Sequence, residues 1–403
     1  MLSMLFPPLA RPIALATLAA VLLLVGCANQ PVLFSARVPA SVPTDPQVAH
    51  SAKTFLYVPN MLSDTISAFT LDATSGNLTP ISGSPLASPI PRPFSLAPRP
   101  QSDMMLIVNN NDGVWASYDN IAFALLDRDT GALQPQTTQS ILEILLREVT
   151  WDKSGRFAYA NRDGGLLGFS FQPNLSLDEL PRSDINLPVV PNAPLLHPTG
   201  NWIYTDNGSA IYAFSRDATT GELQQIQAVP SQIGSLAMTP DGSYLVGSFW
   251  NQSTVASYSI DPGIGTVELA SKLNVPGPPA QAVSTITVHP SGQYVVQMIM
   301  SNNPLHPAFP GQICVFHLDS ESGTLSEVAG SPFPAGTSPY TGTFDPSGSW
   351  LYVVDRGPSL SQDEPSILMA YSFDRETGTL KALPNGNYEL GVGAALPIAV
   401  GPQ

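Results

Sequence analysis

One feature dominates this chain: a short polar turn that returns again and again behind an apolar segment. L-D-A-T-S-G-N-L occupies Leu71 to Leu78, L-D-R-D-T-G-A-L follows at Leu126 to Leu133, and R-D-A-T-T-G-E-L at Arg216 to Leu223. L-D-S-E-S-G-T-L at Leu318 to Leu325 and F-D-R-E-T-G-T-L at Phe373 to Leu380 continue the series, with a looser I-D-P-G-I-G-T-V at Ile260 to Val267. The third position in the series holds Q-P-N-L-S-L-D-E-L (Gln172 to Leu180), which lacks the glycine. Asp can accept backbone N–H groups inside such a turn and Gly can take a positive φ, so each copy reads as a hairpin.

Each hairpin follows an apolar segment such as I-S-A-F-T-L-D (Ile66 to Asp72), I-Y-A-F-S-R-D (Ile211 to Asp217) or L-M-A-Y-S-F-D (Leu368 to Asp374). Apolar groups fall on both parities, as in a strand covered on both faces. Another short strand stands before each: F-L-Y-V at Phe55, M-L-I-V at Met105, F-A-Y-A at Phe157, W-I-Y-T at Trp202, Y-L-V-G at Tyr244, Y-V-V-Q at Tyr294 and W-L-Y-V at Trp350. Turns of the type H-P-T-G or D-P-S-G precede most of these, and the copies recur every roughly 42 to 56 residues, the period of propeller blades. The expected fold is all-β, a seven-bladed β-propeller of four-stranded blades. The first unit opens at Phe55 without an inner strand, whereas Leu396 to Pro402 (L-P-I-A-V-G-P) supplies one at the other end. The C-terminal strand is therefore expected to complete the N-terminal blade.

Composition agrees and excludes some partners. Charged residues make up only 12% of the chain, against 41 Pro and 31 Gly, as suits many short strands and turns. A net charge of −15 without a basic stripe excludes nucleic acid as a partner.

Residues 1–26 read as an export signal: Arg11, then an apolar run from Ile13 to Val25 that is short for a membrane span. The run ends in L-V-G-C (Leu24 to Cys27), which resembles the lipobox of bacterial lipoproteins. That resemblance implies a lipidated Cys27 as the membrane anchor, with Ala28 fitting sorting to the periplasmic side of the outer membrane. Residues 27–53 form a Pro-rich tether, and 54–403 the propeller. Cys314 is then left without a disulfide partner, an inert thiol on a covered strand.

The pattern L-Y-V-x-N…S-x-T-I-x-x-F-x-L-D-x-x-S-G-x-L (Leu56 to Leu78), with P-S-G turns between inner strands, resembles the seven-bladed lactonase-type propellers. That group contains the propeller form of 6-phosphogluconolactonase, muconate-lactone cyclases and the Y-V-T-N repeat proteins. The resemblance implies a site of His, Arg and Glu side chains where inner strands begin, at one mouth of the channel. In P-R-P-F-S-L-A-P (Pro91 to Pro98) Arg92 matches the family Arg while Pro93 stands where His would be. In S-P-Y-T-G-T-F-D-P (Ser338 to Pro346) Tyr340 stands where an Arg could be, and no His-x-His occurs.

On a propeller, the loops leading into inner strands share a face with those joining second to third strands, and loops on a rigid scaffold carry function. The first set brings Arg92, Arg147 with Glu148, Asn192, Gln281 and Tyr340. The second brings Asn60, Asn109 to Asp112, Asn161 to Asp163, Asp206-Asn207, Trp250-Asn251, Asn302-Asn303 and Asp355-Arg356. Arg92, Arg147 and Glu148 are the catalytic candidates, although the Arg147–Glu148 pair reads first as a plain ion pair. Asn192, Gln281, Tyr340, Asp355 and Arg356 are the ligand-binding ones. His197 and His289 precede Pro in strand-end turns and read as structural; His306 lies in a long loop and is free to act. Metal-ligand spacings and cofactor motifs are absent, so neither a metal nor a cofactor is expected. The expected function is a monomeric binding or scaffold module of the cell envelope, its mouth engaging a small molecule such as a lactone or an envelope protein. A lactone hydrolase or cyclase with a rearranged site, or a structural envelope component, are the alternatives.

Overall fold

The computed structural model describes residues 53–109, 121–141, 146, 148–162, 164–181, 185–188, 192–249, 254–275, 282–300, 310–357 and 364–402. The signal segment 1–26 and Cys27 lie outside them, as do Arg147, Gln281 and His306.

Apolar runs covered on both faces become the middle strands of seven antiparallel sheets. From axis to rim, blade I runs Ile398–Val400, Thr54–Asn60, Thr65–Leu71, Leu78–Pro80, and blade II Pro93–Pro98, Met104–Asn109, Ile121–Leu126, Leu133–Gln139. Blade III is Val149–Trp151, Phe157–Arg162, Gly165–Gln172, Ser176–Glu179, and blade IV Leu195–Leu196, Trp202–Asp206, Ala210–Arg216, Leu223–Pro230. Blade V is Ile233–Met238, Tyr244–Phe249, Thr254–Ile260, Val267–Asn274, and blade VI Ala282–Val288, Tyr294–Met300, Gln312–Leu318, Leu325–Glu327. Blade VII is Pro339–Phe344, Trp350–Asp355, Pro365–Phe373, Leu380–Val392. The C-terminal strand does complete blade I, with Tyr57 opposite Ile398 and Phe55 opposite Val400. A second clasp lies on the mouth face, where Met61 and Leu62 donate to the carbonyls of Gly393 and Val392.

The core is not one mass but a set of seams, each between two neighbouring blades. Phe55, Tyr57 and Ile66 of blade I pack on Ile107, Ala122 and Ala124 of blade II. Blades IV and V meet through Tyr204, Ile211, Ile233, Leu245 and Phe249. Each fully buried Ile, Leu or Phe side chain of these seams contributes about 1.5–3 kcal/mol.

The recurring hairpin joins the outer two strands of its own blade and also bonds to the blade before it. In its first copy, Asp72 Oδ1 accepts the N–H groups of Thr74 and Ser75, which hold its carboxyl below the ordinary range. The hairpin glycine then serves the preceding blade in two ways. Its carbonyl accepts a tyrosine hydroxyl from that blade's second strand: Tyr57 to Gly131, Tyr159 to Gly221, Tyr204 to Gly265 and Tyr352 to Gly76, all at 2.7–2.8 Å. Its α-carbon seats the aromatic that opens the same strand, as Phe55 lies on Gly131 and Trp202 on Gly265, where no Cβ could fit. The hairpin without glycine belongs to blade III, and blade II before it opens its second strand with Met104 and Met105 instead of an aromatic. There Leu175 takes the positive φ, 60°, and packs into the seam containing Met104.

Candidate functional site

Inner strands stand edge-on to the axis, so their unpaired N–H and C=O groups form much of the channel wall. Consecutive residues accordingly line a channel cavity of about 550 Å³: Gly234 to Met238 of blade V and Thr285 to Val288 of blade VI. That volume lies in the range of small-molecule sites. Glu148, Asn161, Asn192 and Tyr340 add polar groups to its wall, and Phe94, Leu195, Met300 and Leu396 add apolar ones. Among the described residues the lining carries one carboxylate, that of Glu148, and no histidine, lysine or arginine.

Each of these side chains is fixed by the blade beside it. The Glu148 N–H donates to Asn161 Oδ1 at 3.0 Å, so the loop into blade III is tied to the end of that blade's second strand. Asn192 is held more tightly. Its N–H donates to the Asp206 carbonyl at 2.7 Å, and its own carbonyl accepts the Thr205 hydroxyl at 2.7 Å. Its side-chain NH2 donates once to Asp206 Oδ1 at 2.8 Å and once to the Gly234 carbonyl of blade V at 3.1 Å. Ser235 Oγ accepts the Ile286 N–H, and the Thr285 hydroxyl donates to the Tyr340 carbonyl, so blades IV to VII are laced together around the cavity.

Asp206 stands behind Asn192 and is 1% exposed. Its Oδ1 accepts the Asn192 amide and, weakly, the Gly208 N–H at 3.4 Å, while its Oδ2 is buried without a partner. Burial pushes this carboxyl up to about 7, only partly offset by those donors. In sequence, D-N-G-S reads as an ordinary turn, and Asn207 does act as one, its Oδ1 accepting the Ser209 and Ala210 N–H groups. Nothing in the letters distinguishes Asp206 from its neighbour; the burial arises from blade V lying against it.

The remaining candidates are placed as follows. Tyr340 begins the inner strand of blade VII, and the Arg356 guanidinium stacks on its ring at 3.5 Å from the centroid. Arg356 Nε donates to the Ala394 carbonyl at 2.8 Å, across the ring closure. Both Asp355 oxygens accept backbone N–H groups, of Thr337, Ser338 and Gly357, so that carboxylate shapes the loop into blade VII. Arg92 has a φ of 53° and gives its N–H to Asp64 Oδ1; it is not among the residues lining the cavity, although Phe94 two positions on is.

The described histidines lie elsewhere. His197 Nδ1 accepts the Thr199 N–H, which leaves Nε2–H to donate to the Gly242 carbonyl of the next blade. His289 repeats the arrangement with Ser291 and Gly348. Burial keeps both rings below their usual pKa, so they are neutral latches on the opposite face. Cys314 is buried, and its thiol is pushed up to about 12. No group of three or more His, Cys, Asp or Glu side chains able to hold a metal occurs among the described residues.

Together these features define a seven-bladed propeller with a blade-tied channel mouth. Among solved structures the chain is similar to a candidate 6-phosphogluconolactonase of Bacteroides fragilis, at 18% identity over 88% of this chain and 100% of that one, with a TM-score of 0.71. It is also similar to a counterpart from Bacteroides uniformis, at 18% identity over 87% and 100% of the two chains (TM-score 0.72). A periplasmic gluconolactonase of Pseudomonas aeruginosa matches at 16% identity over 86% and 99% (TM-score 0.69). At these identities the likeness is one of fold. No protein-family model matches the sequence, and no curated protein does.

Proposed function

We propose that the channel mouth binds a small, neutral, hydroxyl-rich ring such as a sugar lactone, and that the protein serves as a binding module of the cell envelope. One observation carries this reading: the 550 Å³ cavity sets amides, hydroxyls and free strand edges among apolar side chains such as Phe94, Leu236, Met238 and Met300, with a single carboxylate among its described lining residues. Such a wall suits many hydroxyl groups and no strong charge. A second reading, lactone hydrolysis with Glu148 as the base, is favoured by the position of Glu148 on that wall and by the gluconolactonase description of the P. aeruginosa structure. Calorimetry with D-gluconolactam, a hydrolysis-resistant isostere of a six-membered sugar lactone, tests the first reading. Binding that Asn192→Ala weakens supports it, and absence of binding overturns it. If the second reading holds, Glu148→Gln still binds the lactam but loses turnover of the matching lactone.

The envelope location rests on residues 1–27 and on the periplasmic description of that same neighbour. Cys27, as the lipid-bearing residue, holds the propeller at the membrane surface through residues 28–53. Cys27→Ser should move the protein from the membrane fraction to the soluble one, and an unchanged membrane fraction would remove the anchor.

A further inference from the structure

We infer that Asp206 is a positioning residue of the mouth: it locks the Asn192 amide so that an acceptor oxygen faces the cavity, which selects ligands presenting a hydroxyl there. This rests on the reading that the mouth binds a ligand. Asn192 lines the cavity, yet both of its amide protons point into the protein, one to Asp206 Oδ1 and one to the Gly234 carbonyl. What remains for the cavity is Oδ1, an acceptor only. A flipped amide would set that oxygen against the Gly234 carbonyl and a carboxylate, so the orientation has no alternative while Asp206 is ionised. A carboxylate at the NH2 end also polarises the amide, which strengthens Oδ1 as an acceptor.

The surroundings of Asp206 suit this task. The strands around it, Leu195–Leu196, Ala210–Arg216, Ile233–Met238 and Tyr244–Phe249, carry one charged side chain, Arg216. Arg216 sits at the far end of its strand, where Asp152 and the Tyr159 hydroxyl hold it. Among the described residues no cation neutralises Asp206, and its second oxygen is buried and unpartnered. A simple structural carboxylate would be satisfied on both oxygens, as Asp355 is. Because burial also raises the Asp206 pKa to about 7, ligand affinity should follow its ionisation across neutral pH.

The test uses the full chain in detergent, with D-gluconolactam and its single-deoxy analogues as probes. Wild-type affinity should rise between about pH 6 and pH 8. Asp206→Asn should bind about tenfold more weakly at pH 8 and show a flat profile. It should also have no further effect in an Asn192→Ala background, and one deoxy lactam should lose affinity for wild type but not for Asp206→Asn. Wild-type binding that Asp206→Asn leaves unchanged, or losses that add in the double variant, would overturn the inference. A ligand-free arm separates this from failure of the binding reading. In 15N-labelled protein the Asn192 side-chain NH2 should exchange slowly with water and shift with a titration lost in Asp206→Asn. Fast exchange sinks the lock, whether or not any lactam binds.

Discussion

A buried carboxyl leaves a mark on stability that needs no ligand to observe. The folded pKa of Asp206, about 7, stands above its value of 3.8 in an open chain. A group raised in this way contributes stability that is complete below the unfolded pKa and lost as pH rises through the folded one. The window therefore runs from about pH 4 to about pH 7, and the full swing is on the order of 4 kcal/mol. The exposed hairpin aspartates, held below their usual range by backbone N–H groups, act with the opposite sign: their stability is lost as pH falls. Comparing Asp206→Asn with wild type cancels that background. Near pH 4 the two should melt within a few degrees of one another, and at pH 8 the variant should be the more stable. Parallel melting curves from pH 4 to pH 8 would show that Asp206 is not buried as charged or neutral carboxyl in the way described.

At the scale of elements, the hairpin couples each blade to the one before it, and that coupling explains why its sequence is so constant. Gly265 has a φ of 74°, its carbonyl accepts the Tyr204 hydroxyl, and the Trp202 ring covers its α-carbon. Gly265→Ala should cost on the order of 2–4 kcal/mol, from the left-handed backbone and from displacing a buried indole. A drop in melting temperature with a red-shifted tryptophan emission would report it; a variant that melts with wild type would show that the seat is not needed. Much of this was legible in the letters. The Asp-to-Gly spacing located the hairpins, the preceding aromatic strands located their partners, and Leu396 to Pro402 announced the closure. What the letters hid was that the two motifs meet across a seam, because the tyrosine and the glycine it reaches are 61 to 276 residues apart. The mouth was legible in part for the same reason. Glu148, Asn192 and Tyr340 followed from strand order, whereas the burial of Asp206 and the walls formed by strand edges depend on how blade V stands against blade IV.

For the whole molecule, a ring must be closed, and this one is closed twice. Near the axis, Ile398–Val400 pairs with the Thr54–Asn60 strand, and Val400 is 5% exposed within the seam between blades I and II. Arg128, itself paired with Asp103, adds a bond to the Gly401 carbonyl at 2.9 Å. On the mouth face, Met61, Leu62 and Pro59 pair with Gly393, Val392 and Ala395 respectively, and Arg356 donates to the Ala394 carbonyl. The two clasps can be removed separately. Deleting Ile398 to Gln403 takes away the inner strand of blade I and its apolar side chains, a loss on the order of 5 kcal/mol, but leaves the mouth-face clasp. This truncation should still fold, with a melting temperature lower by several degrees and Tyr57 newly open to solvent. Deleting Gly393 to Gln403 removes the inner strand and all of the mouth-face clasp but the Leu62–Val392 bond, together with the carbonyl that positions Arg356 beneath Tyr340. Blade I then keeps blade VII only through the seam of Leu56, Val58 and Phe69 on Tyr352, Val354 and Leu368 and through the Tyr352–Gly76 bond, so the longer deletion should melt below the shorter one. Truncation at residue 397 with an unchanged melting temperature would mean that the inner strand does not close the ring, whereas equal damage from both deletions would mean that the mouth-face clasp contributes nothing. The order expected is wild type, then the shorter deletion, then the longer one, in both thermal melts and resistance to proteolysis.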